Sequence, residues 1–347
     1  MPIRPPKRTP AVARTTRPAP TGSIPALGLV LGVAADAAVG DPRRGHPVAL
    51  FGTAAGALER RMYADSRARG AAYTALCVAG TAALGVAADR LTRRHPAARV
   101  LVTAAATWAV LGGTTLRREA HAIAVPLLAD PDAPVGLAAA RARLPHLVGR
   151  DPSALDATQI SRAVVESVAE NTSDAVVAPL FWGAVAGLPG LLAYRAVNTL
   201  DAMVGHKSPR YLHFGWASAR LDDAANWAPA RLTGLLTVAA APLVGGSPRA
   251  THRVLRRDAR AHPSPNSGHC EAAAAGALGV RLGGRNIYAG CSEDRPPLGD
   301  GRPPTPRDVP RAARLATAVC LAAAAIATTA LRATSGLRRV ARPPRRR

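Results

Sequence analysis

The feature that most constrains this chain is a series of long apolar segments separated by arginine-rich links. A helix needs about 20 predominantly apolar residues to cross a bilayer, and water-soluble proteins rarely segregate polar and apolar residues so sharply. We therefore predict an all-α, polytopic integral membrane protein with re-entrant or broken helices and polar motif loops. The prediction rests on six apolar segments, at residues 24–40, 70–88, 100–116, 175–193, 229–245 and 312–331.

The chain is strongly basic, with a net charge of +23 and only 3% aromatic residues. Lysine and arginine are concentrated in the links and at both ends, so we expect cytosolic ends. Nucleic-acid binding is not predicted, because no zinc finger, basic zipper or basic motif with interleaved aromatic residues is present. We divide the chain into a disordered Pro/Arg-rich tail at 1–23, a membrane domain at 24–331 and a basic tail at 332–347.

Three apolar stretches are not expected to cross the membrane as single continuous helices. The stretch 48–58 is too short and is predicted to form an interfacial or re-entrant half-helix. Segments 175–193 and 229–245 contain internal prolines, which is typical of helices that break beside a polar site. If every long segment crossed, the link around Glu166 and the link 201–231 would lie on opposite sides. Either 175–193 and 229–245 enter and return, or the site residues meet inside the membrane region, and the proline content favours the first arrangement.

The first long segment has a second interpretation. A basic start followed by a short apolar run also describes a signal peptide, and Val33-Ala34-Ala35 fits a cleavage site. We favour a retained helix, because the GDPRRGHPV motif that follows contains candidate site residues. These are Asp41 and His46, although His46 can instead bond the turn.

Carboxylate and amide side chains recur at helical spacing on both sides of segment 175–193. Side chains three or four residues apart share one helix face, and oxygen ligands of this kind suit Mg²⁺ held together with phosphate. Helix capping explains any one of these residues, but not so many at this spacing. The groups are Glu166, Glu170 and Asp174, then Asn198 and Asp201, then Asp222 and Asn226.

Basic side chains accompany these groups. Arginine and lysine bind phosphate and carboxylate, so a site for a phosphorylated co-substrate would use both sets. Arginine at a membrane edge can instead only anchor a helix. The candidates are Arg195, Lys207, Arg210, Arg220 and Arg231.

A polar region at 247–311 contains further candidates. Pro263 and Pro265 stiffen its first part, and rigid loops with many polar groups are often binding loops. The sequence contains no GxxxxGK[ST], GxSxG or GxGxxG motif, so a nucleotide would have to bind in another arrangement. The candidates are His262, Ser264, Asn266 and Glu271.

Three motifs resemble one known family. They are GDPRRGHPV near the start, ESVAENTSDAVVAPLFWGAVAGLPGLLAYRAVNTLDAMVGHKSPRYLHFGWASARLDDAANWAPARLT in the middle, and HPSPNSGHCEAAAAGALGVRLGGRNIYAG later, in order between residues 27 and 331. In these motifs the chain resembles adenosylcobinamide-phosphate synthase, the CobD/CbiB family of cobalamin biosynthesis membrane proteins. A match of this length is not expected by chance.

The resemblance implies a multi-pass enzyme of the cell membrane whose active loops face the cytoplasm. It implies amide ligation of aminopropanol, or of aminopropanol phosphate, to a corrin-ring propionate of (adenosyl)cobyric acid. The product would be (adenosyl)cobinamide or its phosphate. A carboxylate does not react with an amine at neutral pH, so we expect ATP as co-substrate and Mg²⁺ as cofactor. The lipid bilayer is an expected partner, and a complex with other membrane-associated corrinoid enzymes would suit such a protein.

The resemblance, with the residue chemistry, suggests hypothetical roles at the matched positions. The catalytic candidates, as metal ligands or as the base that deprotonates the amine, are Glu166, Glu170, Asp222 and Asp223. The metal candidates are Asp174, Asp201 and Asp222. The substrate-binding and phosphate-binding candidates are Asp41, His46, Asn171, Arg195, Asn198, Lys207, Arg210, Arg220, Asn226, Arg231, His262, Ser264, Asn266 and Glu271.

Two other functions fit the same pattern of helices and charges. The first is a non-catalytic membrane sensor or transporter on the same scaffold, which would not need all three carboxylate groups. The second is a lipid-phosphate transferase that uses Asp222, Asp223 and Mg²⁺, whose product would be found among the lipids.

Overall fold

The computed structural model describes residues 23–42, 45–288 and 291–340. The tail predicted at 1–23 lies outside these residues except for Ser23, which begins the first helix. The last helix continues to Val340. The tail predicted at 332–347 is therefore helical up to that residue, and 341–347 lie outside the described residues.

Helices make up most of the described chain. They are α1 (Ser23–Val39), α2 (Pro47–Met62), α3 (Arg67–Thr92), α4 (Pro96–Val110), α5 (Gly113–Ala129), α6 (Pro134–Arg143), α7 (Ala157–Thr172), α8 (Ala178–Leu200), α9 (Trp216–Ala240), α10 (Pro248–Asp258), α11 (Ser267–Leu278) and α12 (Asp308–Val340). Two π-helical turns, Ser173–Val177 and Asp201–Gly205, lie on either side of α8. An antiparallel pair of strands, β1 (Leu282–Tyr288) and β2 (Cys291–Leu298), precedes α12.

Five helical stretches of the described chain are long and apolar enough to cross a membrane. They are Arg67–Thr92, Pro96–Ala129, Ala157–Gly205, Trp216–Val244 and Asp308–Ala333, and Ile24–Val39 is a shorter apolar helix. This confirms the prediction of an all-α, polytopic membrane protein. The stretch 48–58, predicted as a half-helix, lies within α2, whose 16 residues are about 24 Å long.

The stretch Ala157–Gly205 doubles back on itself at Gly187. This residue has φ 65° and ψ −152°, a backbone conformation that is open almost only to glycine. A Cβ built on Gly183 would lie 3.8 Å from that of Leu191, whereas eight residues of straight helix span about 12 Å. Segment 175–193 therefore enters and returns, as predicted.

The reversal brings the two ends of this hairpin together. The hydroxyl oxygen of Tyr194 lies 3.2 Å from the carbonyl oxygen of Asp174, 20 residues earlier, where a straight helix would separate them by about 30 Å. At the tip, a Cβ built on Gly85 of α3 would lie 2.6 Å from Cα of Pro189. The hairpin tip thus packs directly on the backbone of α3.

Segment 229–245 does not reverse, so this part of the prediction is wrong. The segment belongs to α9, which continues through Pro229. Proline has no N–H to donate to the carbonyl oxygen four residues earlier, which here belongs to Ala225. The indole Nε1 of Trp182 donates to that oxygen instead, at 3.0 Å. The hairpin therefore satisfies the carbonyl group that the proline leaves free, and the helix remains continuous.

The polar region 247–311 is more ordered than its composition predicts. It contains α10, α11 and the strand pair, and its apolar side chains join those of α5, α7 and the start of α12 in one buried cluster. Ile123, Ile160, Leu278 and Leu282 are among the members of this cluster. We call it the polar-side core, because the polar links of the chain surround it.

The first helix is an integral part of the fold. Gly32 of α1 lies against Thr107 of α4, and small residues allow such close helix contacts. The buried Asp36 accepts hydrogen bonds from the backbone nitrogen and the hydroxyl of Thr114, both at 3.2 Å. These contacts favour a retained helix over a removable signal peptide.

The two described ends of the chain lie away from the hairpin opening. Asp36 lies near the hairpin opening, because its partner Thr114 is close to the first residues of the hairpin. Gly112, two residues before Thr114, donates its N–H to the carbonyl oxygen of Ala175 at 3.3 Å. From Asp36, α1 extends back about 20 Å to Ser23. The helix α12 begins in the polar-side core, and its later residues pack beside Leu29 of α1. Ser23 and the later part of α12 therefore lie at the same end of the helices, away from the hairpin opening.

Candidate active site

A cavity of about 430 Å³ opens where the hairpin, α9 and the link before α11 meet. Pockets for small ligands usually have 300–1,000 Å³. Its wall is formed by α7, both π turns, α9, the link 262–267 and β2. The polar side chains in this wall are Glu170, Asp174, Asp201, His206, Lys207, Asp222, Asp223, Asn226, His262, Ser264, Asn266, Ser267 and Arg295.

Carboxylates dominate the cavity wall. Asp174 lies within electrostatic range of Glu170 and Asp222, and Asp201 lies within range of Asp223. Like charges that are partly removed from water repel one another strongly. Bound cations or protons are therefore needed to hold these five side chains together.

The α9 wall is fixed by hydrogen bonds to the hairpin. Asn226 Nδ2 donates to Asp222 Oδ2 at 2.9 Å, and the Tyr194 hydroxyl donates to Asn226 Oδ1 at 2.8 Å. Asp222 and Asn226 thus share one helix face, as their spacing predicts. Asp222 Oδ1 is buried without a hydrogen-bond partner in the described structure. An oxygen of this kind is costly unless a ligand or cation reaches it.

The two π turns hold Asp174 where the first arm of the hairpin begins and Asp201 where the second arm ends. Such turns often occur at functional sites, because they redirect side chains out of the regular helical rows. A Cβ at Gly205 would overlap Oδ1 of Asp201. The glycine therefore leaves the space that this carboxylate occupies.

Two basic side chains, Lys207 and Arg295, line the same cavity. Lys207 is within electrostatic range of Asp223, and Arg295 is within range of His262. An anionic ligand in this cavity would contact these two cations.

The link 262–267 is tied to both sides of the cavity. Asn266 Nδ2 donates to the carbonyl oxygen of Asp223 at 2.8 Å. The Ser267 hydroxyl donates to Glu170 Oε1 at 2.6 Å. These bonds hold the link in place, and the predicted residues Ser264 and Asn266 do lie in the wall.

His262 and Glu271 form a buried pair behind this link. The backbone nitrogen of Ser264 donates to His262 Nδ1 at 3.0 Å, so the imidazole proton is on Nε2, 3.6 Å from Glu271 Oε1. Burial, and then Arg295, lowers the pKa of His262. Burial and neighbouring carboxylates raise the pKa of Glu271. His262 lines the cavity as a neutral side chain, and Glu271 lies behind it.

Glu166 lies outside the cavity. It is 2% exposed, Arg150 Nη2 donates to its Oε2 at 2.6 Å, and Gly283 N donates to its Oε1 at 2.9 Å. Its spacing from Glu170 is helical, but this side chain points into the polar-side core. The structure does not support the predicted catalytic role, because both oxygens already have partners.

Two predicted phosphate-binding arginines are also placed elsewhere. Arg210 bonds Glu59 Oε1 at 2.9 Å, and its guanidinium lies 4.0 Å from the ring centre of Tyr63. The Arg231 guanidinium lies 4.2 Å from the ring centre of Trp227. Both arginines therefore stabilise local structure rather than the cavity.

The predicted residues in the first motif serve the turn before α2. His46 Nδ1 accepts a hydrogen bond from Val48 N at 3.2 Å, and its Nε2 lies 3.7 Å from Asp41 Oδ1. This supports the structural interpretation of His46. Asn171 likewise bonds its own helix, donating to Ser167 O at 2.9 Å.

Three predicted residues lie next to the cavity without forming its wall. Arg195 Nη1 donates to Asn198 Oδ1 at 3.4 Å, and the buried guanidinium lies between the charges of Asp41 and Asp174. Arg220 is exposed and within electrostatic range of Asp223. These side chains shape the charge around the wall.

The donor set suits a metal that is shared with a substrate. Among the residues that the structure describes, no three His, Cys, Asp or Glu side chains are close enough to hold a metal by themselves. Mg²⁺ usually takes one or two protein carboxylates and completes its shell with water and phosphate oxygens. The partnerless Asp222 Oδ1, beside Asp174 and Asp201, fits that mode.

The comparisons with known proteins agree with this architecture. The family profile described as CobD/Cbib protein matches residues 29–316. The chain belongs to this family. It is 52% identical over 302 residues to the cobalamin biosynthesis protein CobD of Mycobacterium tuberculosis, covering 87% of this chain and 94% of that protein.

Other relatives carry the same name. The chain is 48% identical over 270 residues to the CobD protein of Geobacter metallireducens, covering 76% of this chain and 83% of the relative. It is 45% identical over 285 residues to that of Rhizobium meliloti, covering 78% and 86%. No solved structure matches the chain. The family match spans the whole cavity wall, from Glu170 to Arg295.

Three polar residues of the CobD/CbiB cavity wall were missed from the sequence, together with Tyr194, which holds Asn226 from behind the wall. His206 is adjacent to the predicted Lys207, and Ser267 follows the predicted Asn266, so neighbouring positions gave a signal. Tyr194 lies inside an apolar segment, Arg295 lies in β2, and neither stands at an informative spacing. Only the folded chain brings these two residues to the wall and to Asn226.

Proposed function

We propose that this CobD/CbiB protein is an adenosylcobinamide-phosphate synthase, a ligase that forms a carbon–nitrogen amide bond. It would join aminopropanol or aminopropanol phosphate to a propionate of (adenosyl)cobyric acid, with Mg²⁺ and ATP. Family membership and the names of the relatives support cobalamin biosynthesis. The convergence of five carboxylates with Lys207 and Arg295 in one cavity is the observation that carries the reaction class.

The chemistry requires an activated acid. Phosphoryl transfer from ATP to the propionate gives an acyl phosphate and ADP. The amine nitrogen then attacks the acyl carbon, phosphate leaves, and the nitrogen loses a proton. An enzyme for these steps must bind phosphates beside a carboxyl group and accept that proton.

The cavity residues divide between these tasks. We assign the metal to Asp222 with one neighbouring carboxylate, Asp174 or Asp201, and to water and phosphate oxygens for the rest of its shell. When bound, Mg²⁺ would neutralise the phosphate charge that develops during transfer. Lys207 and Arg295 would bind phosphate oxygens.

The proton acceptor would be one of the adjacent carboxylates Asp222 and Asp223. Asp222 has the oxygen without a partner. Asp223 lies beside Lys207, where an incoming amine would pass from the phosphate-binding cations to the carboxylates. Both side chains are held on α9, which the hairpin fixes in position.

The size of the cavity restricts how the corrinoid binds. A cavity of about 430 Å³ holds a phosphorylated chain or one side arm, whereas a corrin macrocycle is larger than most ligands of this volume range. The ring would remain at the opening and insert only its propionate. Because ATP is a cytosolic metabolite, the opening would face the cytoplasm.

The test is a reconstitution with the full chain. Membranes containing the protein are incubated with cobyric acid, ATP, Mg²⁺ and either aminopropanol or its phosphate, and the products are identified by mass spectrometry. We expect a corrinoid whose mass increases by the amine minus one water, dependent on ATP and Mg²⁺. Asp222→Asn should lower its formation by about 100-fold or more, because it removes a carboxylate assigned to accept the amine proton.

Asp132→Asn is the matched control, since Asp132 is exposed in the link before α6 and outside the cavity. It should retain full activity. Equal product from Asp222→Asn and Asp132→Asn would remove the catalytic assignment. Product in the lipid extract instead of the corrinoid pool would favour a lipid-phosphate transferase, and no product with any amine would favour a sensor or transporter.

A further inference from the structure

A second concave surface lies between α5 and α12, outside the candidate active site. It is an open groove of about 930 Å³. Its walls share none of the residues of the catalytic cavity. We call it the basic groove, after the side chains described below.

Each wall of the basic groove is one face of a helix. On α5 the lining positions run from Thr114 to Val125 at steps of three or four residues, and on α12 they run from Pro310 to Thr317 in the same way. Residues at this spacing share a helix face. The groove is therefore a stable feature of two packed helices rather than a gap between loops.

Basic side chains cluster in this groove. The cations Arg117 and Arg118 come from α5, with His121 beside them, and Arg314 faces them from α12. Arg118, His121 and Arg314 are exposed. Arg118 Nη1 donates to Val39 O at 3.1 Å, which uses one of the five N–H groups of a guanidinium.

Nearby acidic groups do not cancel this charge. Asp36 is buried and within electrostatic range of Arg117. Asp308, near the start of α12, is already bonded by Arg302 and Arg311, each at 2.7 Å. The exposed part of the groove therefore remains cationic.

The groove lies at the boundary of the apolar helices. Arg117 and Arg118 directly follow the apolar segment 100–116, and Arg314 stands just before the apolar part of α12. Cations at such positions mark the membrane interface. The fold brings the two boundaries side by side on the two walls of one groove.

From this geometry we propose that the basic groove binds the headgroup of an anionic phospholipid. Basic pockets between membrane helices suit lipid phosphates. Ala122, Val125 and Ala313 line the same groove and provide apolar contacts, which a lipid can use and a free phosphate ion cannot. The bound lipid would link α5 to α12, and so link the polar-side core to the membrane.

The experiment measures lipid binding directly. The full chain is purified in detergent and titrated with phosphatidylglycerol or with phosphatidylcholine of the same acyl chains, and bound lipid is counted by native mass spectrometry. We expect phosphatidylglycerol to bind more tightly. Each arginine near an anionic lipid surface contributes enough for about a fivefold change in affinity, so Arg314→Gln should weaken phosphatidylglycerol binding by about that factor.

Two further variants complete the design. Replacing Arg117, Arg118 and Arg314 together by Gln should abolish the preference for phosphatidylglycerol. Arg93 and Arg94 are exposed in the turn between α3 and α4. Replacing them should leave the preference for phosphatidylglycerol unchanged, although this substitution also removes charge at the membrane boundary. Equal binding of the two lipids, or an unchanged preference in Arg314→Gln and the triple variant, overturns the proposal. Displacement of phosphatidylglycerol by an equal concentration of inorganic phosphate would overturn it in favour of a free-anion site.

Discussion

Replacing Gly187 by alanine should destabilise this protein through the backbone alone. The residue has φ 65° and ψ −152°, which costs a residue with a Cβ on the order of 1–3 kcal/mol. The space around it is open, since the nearest atom to a built Cβ is Pro189 Cδ at 3.9 Å. Steric overlap therefore adds little, and the change isolates the conformational preference at the point of reversal.

Gly80→Ala is the matched control. Like Gly187, Gly80 lies in an apolar segment, and a Cβ built on it would have no atom within 4 Å. Unlike Gly187, it lies inside α3 and has a negative φ. Alanine there should stabilise the helix by about 0.5–1 kcal/mol. The difference between the two variants in free energy of unfolding is thus expected to be about 1.5–4 kcal/mol.

The assay is unfolding in mixed micelles of increasing denaturing-detergent fraction, followed by the fluorescence of the four tryptophans. Gly187→Ala should unfold at a lower detergent fraction than the parent chain, and Gly80→Ala at an equal or higher one. If Gly187→Ala proves as stable as Gly80→Ala, the reversal does not depend on a left-handed glycine and the reasoning is refuted.

A crosslink offers an independent check on the reversal. Gly183→Cys and Leu191→Cys together place two Cβ atoms about 3.8 Å apart, which is the usual separation in a disulfide. In a straight helix they would be about 12 Å apart. Oxidation should remove two free thiols from the double variant and none from either single variant.

Three other changes test separate parts of the structure. Arg150→Met should lower the free energy of unfolding by up to about 3–5 kcal/mol, because it removes the shorter of the two ion pairs of the buried Glu166 and leaves only Arg162, at 3.9 Å. Arg143→Met, at the more exposed Glu119 pair, should cost under about 1 kcal/mol. Burial lowers the pKa of His262 from 6.5, so at this side chain the unfolded protein takes up a proton that the folded protein does not, and this contribution to stability is lost as pH falls below about 6.5. His262→Gln should therefore lose less stability, or gain more, than the parent chain on acidification below that pH, and an identical pH dependence would contradict it. Accessibility tags at the C-terminus and in the link 206–215 should report opposite sides of the membrane; the same side for both would contradict the direction of α12.

The class of fold and many of the site residues follow from the amino-acid sequence alone. Apolar segments long enough for a bilayer cannot be placed stably in water, so the membrane fold follows from composition and length. Asp222 and Asn226 share a face because helical spacing leaves no other arrangement. The motifs were also sufficient for the family, which the match to residues 29–316 confirms.

Which of the candidate residues meet in the cavity depends on long-range contacts of the folded chain. Helical spacing predicts the same helix face for Glu166 and Glu170, yet Glu166 is bound by Arg150 and Glu170 lines the cavity. Pro229 looked like a break, but Trp182 supplies the hydrogen bond that the proline cannot. Local spacing fixes the direction of a side chain relative to its own helix, and partners from distant parts of the chain decide what it contacts. The reversal at Gly187 is the clearest case, because that one backbone conformation brings Asp174 and Asp201 to the same cavity.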